Sequence, residues 1–169
     1  MPDVVIVRHA IAEERDPTRW PDDSRRPLTA FGRERFALAA RGLGTLVERP
    51  ERVLASPYVR TWQTAEILCD ETGWPGPEAA PALAAHEPVR SAVALVEALE
   101  PRGTTVLVGH EPTTTLLAHA LLRPADAEDV MWFKKGAAAC VRFKESVESG
   151  RGRLVWMHQP KALRGLART

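Results

Sequence analysis

A short apolar run near the start of the chain, residues 4–7, constrains the fold more than any other feature. Three of its four residues are valine and the fourth is isoleucine. β-Branched side chains in an unbroken run are typical of a strand buried on both faces. The run leads directly into Arg8 and His9. Because a buried cation is costly without a partner, we predict that this strand ends at a pocket for an anion.

Two further strands are predicted, and each leads into polar residues. Residues 104–108 form a second buried strand that ends in Gly109 and His110, much as the first ends in Arg8 and His9. Residues 52–55 form a shorter strand that stops at a Ser-Pro pair, 56–57, which is typical of a helix N-cap and first helical position. Arg60 then lies in the first turn of that helix.

The order of elements predicts the fold class. Helices are expected after Thr29, after the Ser-Pro pair, after Pro88 and from about Thr113, and two late strands at 136–143 and 153–157. Alternation of this kind is typical of an α/β protein, a three-layer α/β/α sandwich with a mostly parallel central sheet. Residues 11–27 are expected to form a loop at the rim of the pocket, and the basic tail from Lys161 is expected to fray.

Composition narrows the classes of function. With 169 residues and 44% hydrophobic content we expect a single domain over 1–169. The net charge of +1 gives no global field that would favour nucleic acid or an anionic membrane. Cys69 and Cys140 are expected to be free buried thiols, which suits a reducing cytoplasm. No apolar stretch has membrane-spanning length, so we expect a cytoplasmic protein. We also expect a monomer.

Four of these residues form a coherent chemical set if their strands are neighbours. In an open α/β sheet, ligands bind beyond the C-terminal ends of the strands, which is where Arg8, His9, Arg60 and His110 are expected. Two guanidinium groups suit a phosphoryl group, because each can donate two parallel hydrogen bonds to its oxygens. A histidine among them can attack phosphorus as a nitrogen nucleophile, with no cofactor or metal required.

Two other interpretations of these residues remain open. A lone histidine at a strand end is more often structural than catalytic. Zinc bound by His9, His110 and a cysteine or carboxylate is also possible, although the chain lacks the short ligand spacing that is common in structural zinc sites.

Several motifs in this order resemble the histidine phosphatase superfamily, and within it the SixA-like branch. The family's Arg-His-Gly signature corresponds here to Arg-His-Ala at 8–10, an Ala variant that is usual in that branch. The other matching stretches are Arg-Pro-Leu-Thr-Ala-Phe-Gly at 26–32, Ser-Pro-Tyr-Val-Arg-Thr-Trp-Gln-Thr at 56–64, and the apolar strand with Gly-His at 106–110.

The resemblance implies a phosphoglycerate mutase-like fold and assigns roles to individual residues. His9 is implied as the nucleophile, with Arg8, Arg60 and His110 forming the phosphate pocket. Arg26 is implied as an additional anion contact. Family members that cleave phosphomonoesters use an acid after the second helix. Here Glu87 is the candidate for that acid, and the electrostatics of a helix start beside Pro88 are its alternative role.

Three functions follow as hypotheses. The first is a SixA-like protein-phosphohistidine phosphatase acting on a phosphotransfer or phosphocarrier protein in signalling. A histidine leaving group departs more readily than an alkoxide, so this reaction tolerates a weak acid. The second is a phosphomonoesterase of the same superfamily acting on a small phosphorylated metabolite. The third is a non-catalytic phosphate-binding module.

Overall fold

The computed structural model describes residues 1–167, which contain six strands and six α-helices. The strands are β1 (Asp3–Arg8), β2 (Arg52–Ala55), β3 (Glu78–Ala79), β4 (Thr104–Gly109), β5 (Ala138–Arg142) and β6 (Arg153–His158). The helices are α1 (Ala30–Leu46), α2 (Val59–Thr72), α3 (Val89–Glu97), α4 (Thr113–Leu121), α5 (Pro124–Ala127) and α6 (Pro160–Leu166). Two 3₁₀ turns, Asp23–Arg25 and Pro81–Leu83, lie in the connecting segments.

All six strands form one sheet in the order β3-β2-β4-β1-β5-β6. β1 pairs in parallel with β4, β4 with β2, and β2 with β3, while β5 runs antiparallel to both of its neighbours. The mostly parallel sheet predicted from the sequence is therefore confirmed. Because β1 has a partner on each side, its backbone groups and its apolar side chains are both satisfied in the interior.

Helices cover both faces of the sheet, which gives the predicted three layers. Val5 and Val7 of β1 pack with residues of α1, α2 and α6 in one core. Val4 and Ile6 point to the opposite face and pack with residues of α3 and α4 in a second core. Successive strand residues face opposite sides of a sheet, so the continuous apolar run serves both cores at once.

The start of α1 holds the loop that follows β1. The Thr29 hydroxyl caps the helix by accepting a hydrogen bond from the Gly32 N–H at 2.8 Å. The Thr29 N–H donates to the Ile11 carbonyl oxygen at 3.1 Å. A Cβ at position 32 would overlap that same carbonyl group, so glycine permits the close approach. The 26–32 motif therefore fixes both ends of loop 11–27.

Two expectations about local structure were wrong. The helix after β2 begins at Val59 rather than at the Ser-Pro pair, with Tyr58 as its N-cap. The tail from Lys161 does not fray over the described residues, because α6 packs on α1 with Leu163 buried. The prediction was wrong because it considered the basic residues of the tail and not its apolar face, which Leu163 and Leu166 form. Loop 11–27 is confirmed as lacking α-helix and strand, with one 3₁₀ turn at Asp23–Arg25.

Cys69 and Cys140 are free and buried, as predicted. Within residues 1–167, no helix combines the length and apolar content required to cross a membrane.

The contact between α1 and α6 leads to a prediction about stability. A Cβ at Gly42 would overlap the Leu163 carbonyl group, whereas a Cβ at Gly165 meets nothing within 4 Å. We expect Gly42→Ala to lower the free energy of unfolding by about 1–3 kcal/mol, as overpacking does. As the matched control, Gly165→Ala should be neutral or stabilising by up to about 1 kcal/mol. Urea unfolding measures both, and equal values for the two variants would contradict the packing described here.

Candidate active site

The C-terminal ends of β1, β4 and β2 bring the two predicted histidines together. In the parallel register Arg8 lies beside Gly109. The His9 N–H donates to the Gly109 carbonyl oxygen at 3.0 Å, and the rings of His9 and His110 lie edge to face with centroids 5.4 Å apart. The condition stated from the sequence, that these strands are neighbours, is met.

His9 is held in one tautomer. Its Nδ1 lies 2.7 Å from the Ala10 carbonyl oxygen. That oxygen can only accept a hydrogen bond, so Nδ1 carries the proton and Nε2 keeps its lone pair. Burial, together with the positive charges of Arg60 and Arg8, lowers the pKa of His9 to about 3. His9 is therefore neutral at physiological pH, with a nitrogen that can attack an electrophile.

His110 is equally buried and faces Ser56. Its Nε2 lies 2.8 Å from the Ser56 hydroxyl, and its ring packs edge to face against Tyr58. Burial, together with the nearby His9, lowers the pKa of His110 to about 2. The sequence interpretation assigned Ser56 to a helix start. In the structure its hydroxyl instead orients His110, because the helix begins three residues later.

Two arginines reach the site from different segments and meet at one carboxylate. An Arg60 terminal nitrogen donates to Asp23 Oδ2 at 3.0 Å, and Arg26 Nε donates to Asp23 Oδ1 at 2.8 Å. The other terminal nitrogen of Arg60 donates to the Asp23 backbone oxygen at 2.9 Å. Partial burial alone would raise the pKa of Asp23, but the two guanidinium groups hold it below its ordinary value. Asp23 was absent from the residues predicted for the site.

Arg8, at the end of β1, is the third cation near His9. One of its terminal nitrogens donates to the Phe133 carbonyl oxygen at 2.7 Å. Burial lowers the pKa of Arg8, and the nearby Glu111 carboxylate opposes that shift. An arginine keeps its proton in proteins, so Arg8, Arg26 and Arg60 together place three positive charges around His9.

Unsatisfied polar atoms are concentrated at this site. Four buried side-chain nitrogens among residues 1–167 lack a hydrogen-bond partner, and three of them are Nε of Arg8, Nε of Arg60 and Nδ1 of His110. Buried polar groups are normally satisfied, so each exception requires an explanation. A tetrahedral oxyanion supplies acceptors to several donors at once and suits this set.

Glu87 is not brought into direct contact with the other predicted residues. Its carboxylate accepts a hydrogen bond from the Ser91 hydroxyl at 3.0 Å and lies 3.4 Å from His86 Nε2. His86 Nδ1 is in turn 3.0 Å from the Tyr58 hydroxyl, and the Tyr58 ring packs on His110. Glu87 therefore lies at the rim, linked to the site through two intermediate side chains.

Three other side chains support the site and were not predicted. The Thr64 hydroxyl accepts from the Ala10 N–H at 3.0 Å and donates to the Arg60 carbonyl oxygen at 2.7 Å, which ties the end of β1 to α2. Gln63 Oε1 accepts from the Leu28 N–H at 2.9 Å. Glu111 accepts hydrogen bonds from Thr114 and Thr115 beside Arg8. Two sequence features could have indicated these residues: the Gln-Thr pair that ends the 56–64 motif, and the acid that directly follows His110.

No donor set for a metal accompanies this arrangement. Nowhere in the part of the chain that the structure describes do three or more His, Cys, Asp or Glu side chains converge as possible metal ligands. The zinc interpretation of His9 and His110 therefore lacks the additional ligands that it requires.

The two buried histidines predict how stability depends on pH. Their pKa values are lowered on folding, so the unfolded chain binds more protons below about pH 6.5. Stability is therefore lost as the pH falls from about 6.5 towards 3, by up to about 1.4 kcal/mol per pH unit for each histidine. Thermal unfolding between pH 4 and 8 measures this slope. His110→Gln should flatten the slope and the exposed His119→Gln should keep it; parallel curves for all three proteins would contradict the assignment.

The Asp23 contacts predict two opposite effects of one substitution. Asp23→Asn removes the negative charge from between Arg26 and Arg60. Inorganic phosphate should then bind about tenfold more tightly, because it no longer competes with a carboxylate for charge-assisted hydrogen bonds. The phosphate-free protein should lose about 1–3 kcal/mol, because two buried guanidinium groups lose an ionic acceptor. Calorimetric titration and urea unfolding measure the two effects, and weaker phosphate binding would contradict the competition.

The family model of the histidine phosphatase superfamily (branch 1) matches residues 4–84. An uncharacterised protein of Picosynechococcus sp. is 36% identical over 121 residues, which are 70% of this chain and 72% of that protein.

Two solved structures share the fold. The protein histidine phosphatase SixA complexed with tungstate has a TM-score of 0.80 at 33% identity, covering 95% of this chain and 99% of that chain. A mycobacterial glucosyl-3-phosphoglycerate phosphatase has a TM-score of 0.67 at 20% identity, covering 93% and 98% of the two chains. The second likeness shows the fold alone.

These matches confirm the resemblance drawn from the motifs, together with the phosphoglycerate mutase-like fold, and they support a phosphatase, that is, a hydrolase. The chain belongs to the histidine phosphatase superfamily, in its SixA-like branch.

Proposed function

We propose that this protein is a protein-phosphohistidine phosphatase that forms a covalent phosphohistidine intermediate on His9. The observation that carries the proposal is the state of His9: a buried, neutral imidazole with Nδ1 bound to the Ala10 carbonyl oxygen and Nε2 free to attack. Three arginines and His110 surround it. These groups match the nucleophile and the charge stabilisation that phosphoryl transfer requires.

The reaction proceeds in two balanced steps. In the first, Nε2 of His9 forms a bond to phosphorus, and the bond between phosphorus and the substrate's imidazole nitrogen breaks. In the second, water attacks the phosphorus on His9, the P–N bond breaks, and inorganic phosphate and a proton are released. Arg8, Arg26, Arg60 and the second histidine bind the phosphoryl oxygens in both steps and offset the charge on them.

The leaving group favours phosphohistidine over a phosphomonoester. A phosphorylated imidazole protonates on its other ring nitrogen and leaves as neutral imidazole, so the first step needs no strong general acid. An alkoxide needs a proton from the enzyme. The rim carboxylate of Glu87 is separated from His110 by His86 and Tyr58. Asp23, the carboxylate inside the site, has a lowered pKa and is ionised at neutral pH.

A phosphomonoesterase acting on small metabolites is the second candidate. The linked side chains Glu87, His86 and Tyr58 favour it, because they place a carboxylate at the rim from which a proton can reach a leaving oxygen. Under this alternative, Glu87→Gln abolishes cleavage of sugar or nucleotide phosphates. Under the primary proposal, the same variant keeps full activity on phosphohistidine.

The decisive experiment follows phosphate release from a histidine-phosphorylated phosphotransfer domain in the presence of chelator. We expect the wild type to release phosphate and His9→Ala to lose at least about 10³-fold of the rate, because the nucleophile is gone. His158→Gln, a histidine on β6 outside the site, is the matched control and should keep wild-type activity.

Acid-labile phosphate trapped on His9 during turnover would separate the enzyme from a pure phosphate-binding module. Full dependence on added metal, or retained turnover in His9→Ala, would overturn the proposal.

A further inference from the structure

A groove of about 510 Å³ begins at Arg8 and extends away from the histidines between α1, α6 and the segment before β5. Arg8 belongs to both the candidate phosphate pocket and this groove, so the two adjoin at this residue. We call it the basic groove, after its five cationic residues, Arg8, Arg35, Lys134, Lys135 and Arg164.

The charged residues that line the basic groove are all positive. Its lining contains no aspartate or glutamate, although the whole chain is almost neutral at +1. Among residues 1–167, no carboxylate forms an ion pair with Arg35, Lys134 or Lys135. By contrast, the large cavity at the opposite end of the sheet mixes its cations with Glu145 and Glu148. The basic groove therefore presents a local positive field beside the phosphate pocket.

Large apolar side chains are exposed in the groove and on the segment that leads into it along the chain. Phe31 lines the groove and is 58% exposed, and the Arg35 guanidinium lies 5.5 Å from the centre of its ring. Met131 and Trp132, 64% and 61% exposed, directly precede Phe133, whose carbonyl oxygen binds Arg8. Exposed tryptophan beside cations is typical of the energetic centre of a protein interface. We call Phe31, Met131 and Trp132 the apolar rim.

The backbone that carries this rim is held in place. The Gln159 amide donates to the Trp132 carbonyl oxygen at 3.0 Å and accepts from the Lys134 N–H at 3.0 Å. The Phe133 side chain between them is fully buried. Trp132 and Lys134 are thus presented outwards from a fixed segment, and a partner binds such a surface at a lower entropic cost than a mobile loop.

From these features we infer that the basic groove and its apolar rim dock the phosphorylated protein, by binding an acidic surface around its phosphohistidine. This inference rests on the proposed function. A small phosphorylated molecule is bound by the phosphate pocket alone, so the groove contributes only where the phosphoryl group is part of a larger acidic surface. The cations complement its carboxylates, and the rim buries an apolar side chain of the partner.

The test compares two substrates with the same scissile bond. One is a histidine-phosphorylated phosphotransfer domain with an acidic surface, and the other is free phosphohistidine. We expect Lys134→Glu with Lys135→Glu to lower kcat/KM for the phosphoprotein about tenfold or more and to reduce its salt dependence, since charges at an interface rim control association. Trp132→Ala should also lower kcat/KM for the phosphoprotein. Free phosphohistidine should change by less than about twofold.

The matched control is Arg102→Glu with Lys144→Glu, two exposed cations at the opposite edge of the sheet, which should leave both substrates unchanged. Unchanged kcat/KM for the phosphoprotein in the groove variants would overturn the docking site while the proposed function stands. Equal losses on both substrates would also overturn it, because the pocket itself would be affected.

Two further results are decisive. Loss of binding to phosphatidylglycerol vesicles in the groove variants, with phosphoprotein kinetics unchanged, would reassign the groove to a membrane. A wild type that cleaves only small phosphates would overturn the proposed function, and the docking site with it.

Discussion

The structure around the site depends on the burial of positive charge. Arg26 and Arg60 are almost completely enclosed, and Arg8 is half-buried, yet a guanidinium group keeps its proton under all conditions that the protein meets. The fold must therefore supply acceptors. The acceptors are the backbone carbonyl oxygens of Glu13 and Phe133 and, from Asp23, both the backbone carbonyl oxygen and the carboxylate. The two segments that bound the site, loop 11–27 and the stretch before β5, are held in place by these contacts.

Much of the fold and of the candidate site could be predicted from the sequence, for a simple reason. The ends of parallel strands meet at one edge of a sheet, so two apolar runs that each end in histidine place those histidines together. The register of β1 with β4 realises this arrangement, with Arg8 opposite Gly109. The two runs also predict the central strands, because only a strand with neighbours on both sides and helices on both faces can bury an unbroken apolar segment.

What could not be predicted was the part of the site that depends on long-range contacts between polar residues. Asp23 lies in a loop that contains several acids, and nothing in its spacing distinguishes it from Asp22 or Asp16. Ser56 precedes a proline, which usually marks a helix start, and only the three-dimensional structure reveals its contact with His110. Glu87 was predicted because the family places an acid in that region, and in the structure it lies at the rim.

The fold by itself does not decide the substrate. A phosphatase named for a sugar phosphoglycerate shares this architecture at 20% identity, and folds support many functions through changes at their edges. In this protein the rim consists of the linked residues Tyr58, His86 and Glu87 together with the basic groove. Under the proposals made above, the phosphate pocket binds the phosphoryl group, and these two surfaces distinguish the molecules that carry it.

The pairing of Asp23 with Arg26 and Arg60 has a consequence for the end of the catalytic cycle. Any oxyanion that binds Arg60 must share that guanidinium group with a carboxylate of the protein itself. The same carboxylate is available to reclaim the arginine when inorganic phosphate is the occupant. Asp23 is thus an intramolecular competitor for any oxyanion at Arg60, and under the proposed function it opposes retention of inorganic phosphate as well as binding of the substrate's phosphoryl group.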